Sequence, residues 1–258
     1  MELEKINQHI VAWLNTYCEN AGLLGFVVGI SGGIDSALTS TLCAQTGKKV
    51  ILLNMPIRQT KAEYSRAQEH IEDLCQRFPN VKGMEINLSD AFSSLEHLFP
   101  EETVEDNLAM ANSRARLRML TLYAVGQSNK LLVAGTGNKV EDFGIGFFTK
   151  YGDGGVDLSP IADLNKTQVF AMAKYLGVVD VIQQAKPTDG LWEDGRSDED
   201  QIGASYPELE WAMEFKGDES TLTDRQAEVL TLYRRLNRIN RHKIEPIPVC
   251  EIPREYLR

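Results

Sequence analysis

The run Gly29-Ile30-Ser31-Gly32-Gly33-Ile34-Asp35-Ser36 holds the residue types needed to grip a polyphosphate. Gly32 and Gly33 let an anion approach the main chain with no Cβ in the way. Ser31 and Ser36 add hydroxyl donors, and Asp35 supplies the hard carboxylate oxygen that Mg²⁺ prefers. The following Ala37-Leu38-Thr39-Ser40-Thr41-Leu42 reads as helix. Its first N–H groups lack intrahelical partners and attract negative charge. Neither common nucleotide loop is matched: no Lys follows the last glycine, as in a Walker loop, and the dinucleotide spacing is missed. The plain competitor is an ordinary glycine turn between strand and helix.

The elements around this turn have to hold it still. Apolar runs at 26–28, 50–55 and 131–134 predict strands, with a weaker one at 81–88 that contains Gly83. Helical patterns fill 2–20, 60–78 and 103–127, and the helix that starts at Ser36 stops at Gly47. Residues Leu3, Ile6, Ile10, Trp13, Leu14 and Tyr17 would form the buried stripe of the first helix. The last helix opens on the capping box Thr223-Asp224-Arg225-Gln226, with Ala227, Leu230, Leu236 and Ile239 as its apolar face. Strands alternating with helices imply an α/β fold: a single domain over 1–258 with a central parallel sheet flanked by helices on both faces. Ligands of such sheets sit beyond the carboxyl ends of the strands, so the turns at 29–36 and 135–142 are expected to face one pocket. The long loops at 142–159, rich in Gly and Asp, and at 186–199 are expected to be either functional lids or simply disordered.

Composition narrows the function classes. A formal charge of −10 opposes a sequence-independent grip on DNA or RNA, though it leaves room for local cations in a pocket. The four cysteines are scattered without a CxxC pair, which points to reduced thiols rather than zinc or a disulfide frame. The longest apolar stretch, Leu23 to Ile30, is too short for a bilayer, and the acidic start is no signal peptide, so a cytoplasmic protein without membrane partners is expected.

The SGGIDS turn resembles the pyrophosphate loop of the N-type ATP pyrophosphatases, which split ATP between the α and β phosphates. Further segments are similar to the ammonia-dependent NAD synthetases, in that family's order. They are Arg114-Ala115-Arg116-Leu117-Arg118-Met119, Gly135-Thr136-Gly137-Asn138-Lys139-Val140-Glu141, the run Phe147 to Asp157 (FFTKYGDGGVD), Leu164-Asn165-Lys166, Pro187-Thr188 and His242-Lys243. The resemblance spans nearly the whole chain from the first strand to His242. It implies an adenine nucleotide alpha hydrolase-like fold, no glutaminase domain, and a homodimer with the dinucleotide site built partly across the interface. The implied reaction takes nicotinic acid adenine dinucleotide (deamido-NAD), ATP and ammonia to NAD, AMP and pyrophosphate through an acyl adenylate. A carboxylate is a poor electrophile, so it must gain a leaving group before an amine attacks it. Positioning and charge neutralisation dominate such a transfer, and no protein nucleophile is required.

By family position, Gly29, Ile30, Ser31, Gly32, Gly33, Ile34, Asp35 and Ser36 would hold the β and γ phosphates, with Thr136, Lys166 and Thr188 also binding ATP. Asp35 and Glu141 would ligate Mg²⁺. Arg116, Lys150, Asp157, His242 and Lys243 match positions that bind the dinucleotide, and Asp153 would orient the nicotinate end or take a proton from ammonia. Each has a plainer reading. Glu141 suits a loop carboxylate without a metal, Thr136 a turn cap, and His242 an exposed helix end. Arg114 and Arg118 read as a solvated stripe, and His9, His70 and His97 as structural. Trp13, Trp192 and Trp211 read as packing residues. Two segments depart from the family pattern: Asp189-Gly190-Leu191-Trp192 replaces the usual residues after Thr188, and the loop Glu141 to Gly146 is one residue longer than in a common bacterial version. Two other classes remain open: a related ligase or amidotransferase acting on a different carboxylate, and a non-catalytic ATP-binding module.

Overall fold

Side chains alternate across a strand, and here both sets are apolar, so both faces of the sheet must be covered. The computed structural model describes residues 1–185 and 197–257. Strands Gly25–Gly29 (β1), Lys49–Asn54 (β2), Val81–Glu85 (β3) and Leu131–Val133 (β4) form an all-parallel sheet in the order β3-β2-β1-β4. Phe26, Val28, Val50, Leu52 and Leu132 enter one hydrophobic cluster, whereas Val27, Ile51, Leu53, Leu131 and Val133 enter another.

In chain order the first helices are Leu3–Asn20 (α1), Ile34–Gln45 (α2), Lys61–Arg77 (α3), Ser89–Glu96 (α4), Glu101–Glu105 (α5) and Asn107–Asn129 (α6). They are followed by Lys166–Tyr175 (α7), Asp180–Gln183 (α8), Asp198–Ile202 (α9), Tyr206–Glu214 (α10) and Asp224–Ile244 (α11). The first cluster is completed by α1, α2, α3, α7 and α8, and the second by α4 and α6. A third, helical cluster joins α9, α10 and α11 to the π-helical turn Lys139–Ile145. Among the described residues no helix is long and apolar enough to cross a membrane, and all four cysteines are free thiols.

The elements agree with the sequence pattern except where local chemistry intervenes. The helix expected over 103–127 is two helices, because Asp106 leaves helical geometry and caps α6 by accepting from the N–H groups of Leu108 and Ala109. The strand expected over 81–88 ends at Glu85, and Gly83 sits inside it for a packing reason: a Cβ there would fall 2.5 Å from Ile71 of α3. On α1 the buried positions are Ile10, Leu14 and Cys18, while Trp13 and Tyr17 pack on each other at the surface with ring centroids 5.6 Å apart. The capping box of α11 is present, but Val229 and Leu230 carry its contact and Ala227 and Ile239 are exposed.

Strand order decides where a ligand can sit. From β1 the chain steps to β2 and β3, then crosses back so that β4 lies on the other side of β1. The connections leaving β1 and β4 therefore diverge, and a crevice opens between them at the carboxyl ends.

Candidate active site

The loop after β1 is shaped by its own hydroxyls. Ser36 Oγ donates to the Gly33 carbonyl at 3.0 Å and accepts from the Ser31 N–H at 3.3 Å. The Gly33 N–H donates to Ser31 Oγ at 3.2 Å. Gly32 has φ +83°, and a Cβ on it would lie 2.6 Å from the Glu63 carbonyl oxygen of α3, so only glycine fits. Ala37 is the first residue of α2 to donate backward, to Gly33, which leaves the N–H groups ahead of it without intrahelical partners. Ile30 gives its N–H to the Leu53 carbonyl and its side chain to the core, so it anchors the loop to the sheet.

The loop after β4 supplies the second half. Asn138, fully buried, accepts from the N–H groups of Val140 and Glu141 and so starts the π-helical turn. Its amide donates to Asp35 Oδ1 at 3.1 Å, tying the two loops together. A π turn accommodates one residue more than an α turn. Here it closes the loop at Gly146, whose N–H donates to the Glu141 carbonyl.

Lys166, at the first position of α7, brings both carboxylates to one point. Its Nζ lies 2.6 Å from Asp35 Oδ2 and 2.8 Å from Glu141 Oε1, and the residue is 3% exposed. Burial by itself would lower the ammonium pKa, but the two carboxylates outweigh it and hold the group above the ordinary lysine value. Burial lifts the Glu141 carboxyl; Lys166 opposes this and Asp35 adds to it. Tyr206 of α10 donates its hydroxyl to Glu141 and lies within 3.2 Å of Asp198. Burial first, and then both carboxylates, push that phenol above its usual range.

A pocket of about 620 Å³ runs from this cluster across the crevice. Gly29 through Asp35, Thr136, Glu141 and Lys166 line one end; Arg116, Lys150, Asp153, His242 and Lys243 line the other. Of the expected site residues, Ser36 lies behind the loop as its brace, and Thr188 falls outside the described residues, as does Trp192. Asp157 lies off the pocket: it accepts from Tyr123 Oη at 3.0 Å and from the Val133 N–H at 2.8 Å, pinning its loop to β4. The basic end is held by main-chain acceptors. Lys150 Nζ donates to the His242 carbonyl at 2.5 Å, Lys243 Nζ to that of Phe148 at 2.8 Å, and Arg116 Nε to that of Lys150 at 3.3 Å. Asp153 accepts from the Thr149 N–H at 3.0 Å. The surrounding protein raises its carboxyl pKa and that N–H pulls it back, while the exposed face of the residue lets water temper the rise.

Sequence reasoning gave no role to several residues that the structure brings in. Asn138 lay inside a quoted segment but has no intrinsic chemistry beyond hydrogen bonding, and Tyr206 follows a helix start with nothing else to mark it. Arg118 is no solvated stripe. It lines the pocket, Nε donates to the Met55 carbonyl at 3.1 Å, and burial chiefly lowers its pKa to about 10. Arg114 lies over the Phe92 ring at 5.7 Å. Among the described residues no three His, Cys, Asp or Glu side chains form a metal-ligand group; of the carboxylates that line the pocket, Asp35 and Glu141 are the two that meet at Lys166 Nζ.

The NAD synthase family model matches residues 6–246. The NH(3)-dependent NAD(+) synthetase of Finegoldia magna is 41% identical over 211 residues, covering 81% of this chain and 84% of that protein. Among solved structures, NMN synthetase from Francisella tularensis superposes with a TM-score of 0.85 at 31% identity, over 98% of this chain and 100% of that one. The NH3-dependent NAD synthetase of Campylobacter jejuni, in complex with the nitrate ion, gives 0.78 at 27% identity over 97% and 100%.

Proposed function

The chain belongs to the NAD synthase family, and from that premise we propose that it amidates nicotinic acid adenine dinucleotide with ammonia, splitting ATP to AMP and pyrophosphate. One observation carries the reading: an anion-binding loop and two converging carboxylates share a single pocket with a basic end built from Arg116, Lys150, His242 and Lys243. Such a pocket suits two anionic substrates laid end to end.

The chemistry follows from charge and position. The nicotinate carboxylate oxygen attacks the α-phosphorus of ATP, the α–β P–O bond breaks, and pyrophosphate leaves with the bonding electrons. The N–H groups at the start of α2, with Ser31, stabilise charge on the β and γ phosphates, and Thr136 and Thr188 hydrogen-bond the nucleotide. Asp35 and Glu141 fit a Mg²⁺ ion, being hard-oxygen donors that already converge on one cation, and when bound that ion neutralises charge on the triphosphate tail. Lys166 holds the two carboxylates together and contributes its charge to the tail. Ammonia then attacks the acyl carbon and AMP departs. The nitrogen loses a proton on becoming the amide, and Asp153, beside the nicotinate end, accepts it. Arg116 and the two lysines neutralise the pyrophosphate of the dinucleotide. Asp157 acts on substrate only through the loop it pins, or across to a second copy of the chain. A homodimer is supported by Leu120, exposed on α6 outside the pocket, and a cytoplasmic location fits the free thiols.

A second substrate reading, amidation of nicotinate mononucleotide, is favoured by the likeness to the Francisella NMN synthetase. Both are tested by incubating the protein with ATP, Mg²⁺ and ammonium plus either nicotinate nucleotide, and separating the products. AMP, pyrophosphate and NAD from the dinucleotide are expected. AMP formed with the mononucleotide alone would move the substrate to that acid, and ADP with orthophosphate would overturn the reaction.

A further inference from the structure

Helix α3 presses directly on the phosphate loop. Its capped start at Thr60 places Glu63 and Arg66 three residues apart on one face, and both line the pocket beside Gly32. Arg66 Nε donates to the Gly32 carbonyl at 3.1 Å. That single bond orients the guanidinium plane against the loop. The two terminal nitrogens carry no hydrogen bond and no ion pair among the described residues. A guanidinium stays charged at every working pH, and its fork matches the spacing of phosphate oxygens.

The other pocket cations are anchored at other points. Lys166 lies between two carboxylates, Lys150 and Lys243 reach main-chain carbonyls, and Arg116 and Arg118 give Nε to the carbonyls of Lys150 and Met55. Arg66 is the arginine tied to a carbonyl of the glycine loop itself, which places its charge beside the loop glycines. The loop residues whose N–H groups lack helical partners line the same pocket as Arg66, so an anion seated there would meet helix-start donors and a two-pronged cation together. We infer that Arg66 is a ligand of the terminal phosphates of ATP and of the pyrophosphate product, a role that rests on the ATP-cleaving reading above.

The test uses Mg-pyrophosphate as the probe, titrated calorimetrically into wild-type protein and into Arg66→Gln and Arg66→Lys. Glutamine keeps an amide donor for the Gly32 carbonyl but loses the charge and the fork. A charge-assisted contact of this kind predicts ~10- to 100-fold weaker pyrophosphate binding in Arg66→Gln. Arg66→Lys falls between the two, and AMP affinity and the KM for the nicotinate substrate stay as in wild type. Pyrophosphate binding equal to wild type in folded Arg66→Gln would make Arg66 a loop brace alone and overturn the inference. A parallel loss of AMP affinity would do the same, because a distorted loop affects both. If Arg66→Gln melts early, Arg66→Lys decides by the same two affinities. Wild-type protein that binds no pyrophosphate and forms no AMP overturns the ATP reading itself, a failure visible before any variant is made.

Discussion

Replacing Lys166 with Met leaves two carboxylates facing each other in a site where their side chains are only 17% and 14% exposed. Both are now within hydrogen-bond reach of one nitrogen, so they lie about 5 Å apart; at an effective dielectric of about 20 their repulsion is about 3 kcal/mol. Breaking a buried ion pair by removing one partner costs about 3–5 kcal/mol, so two independent routes give the same size. The assay is urea unfolding of wild type and Lys166→Met, with and without Mg²⁺. Without the ion the variant should lose about 3 kcal/mol, a midpoint shift of about 1 M or more. With 5 mM Mg²⁺ it should recover about 1 kcal/mol, which corresponds to a Kd of about 1 mM for the folded state. Wild type should recover less, because Lys166 already neutralises the pair. A loss below about 1 kcal/mol would refute the ion triple. Equal Mg²⁺ stabilisation of both proteins would refute the carboxylates as the cation's site.

Three further outcomes are expected. Asp35→Ala should cut kcat by about 10²-fold or more while melting close to wild type, since Lys166 and Glu141 remain as a balanced pair; near-normal turnover would remove Asp35 from the chemistry. Gly32→Ala should lower stability by more than the roughly 1–2 kcal/mol of a left-handed alanine and weaken ATP binding, because its Cβ would collide with the Glu63 carbonyl; a wild-type Tm would contradict this. Buried His70, bonded to Ser40 at 2.8 Å, has its pKa lowered to about 4, chiefly by burial. Its unfolded value is about 6.5, so below that pH the unfolded chain binds a proton that the fold refuses; stability is full above pH 6.5 and falls as pH drops toward 4. About 2 kcal/mol should be gone by pH 5. Urea unfolding of His70→Gln should show a flatter pH response, and an unchanged slope would exclude His70.

The parallel sheet was legible because short β-branched runs buried on both faces carry their own signature, and the loop after β1 because glycines and hydroxyls at a strand end have few other uses. Less legible was anything set by a neighbour distant in sequence. Trp13 and Tyr17 satisfy a helical stripe as well as Cys18 does, yet only packing decides which edge of the stripe is covered. Arg118 looked like surface charge until β2 ended beside it and offered the Met55 carbonyl.

The linear chain by itself determined the local devices: a glycine-rich turn that receives anions, the cap of α11, and the carboxylates able to meet a cation. These depend on residues a few positions apart, so their physics is complete within a short segment. The tertiary structure alone decided that Asp35, Glu141 and Lys166 share one buried point, that Asn138 and Tyr206 hold them there, and that Asp157 turns away to pin a strand. Strand order produced that convergence. By crossing back from β3 to β4 the chain brought residues more than a hundred positions apart within hydrogen-bond distance, and no short-range pattern encodes such a crossing.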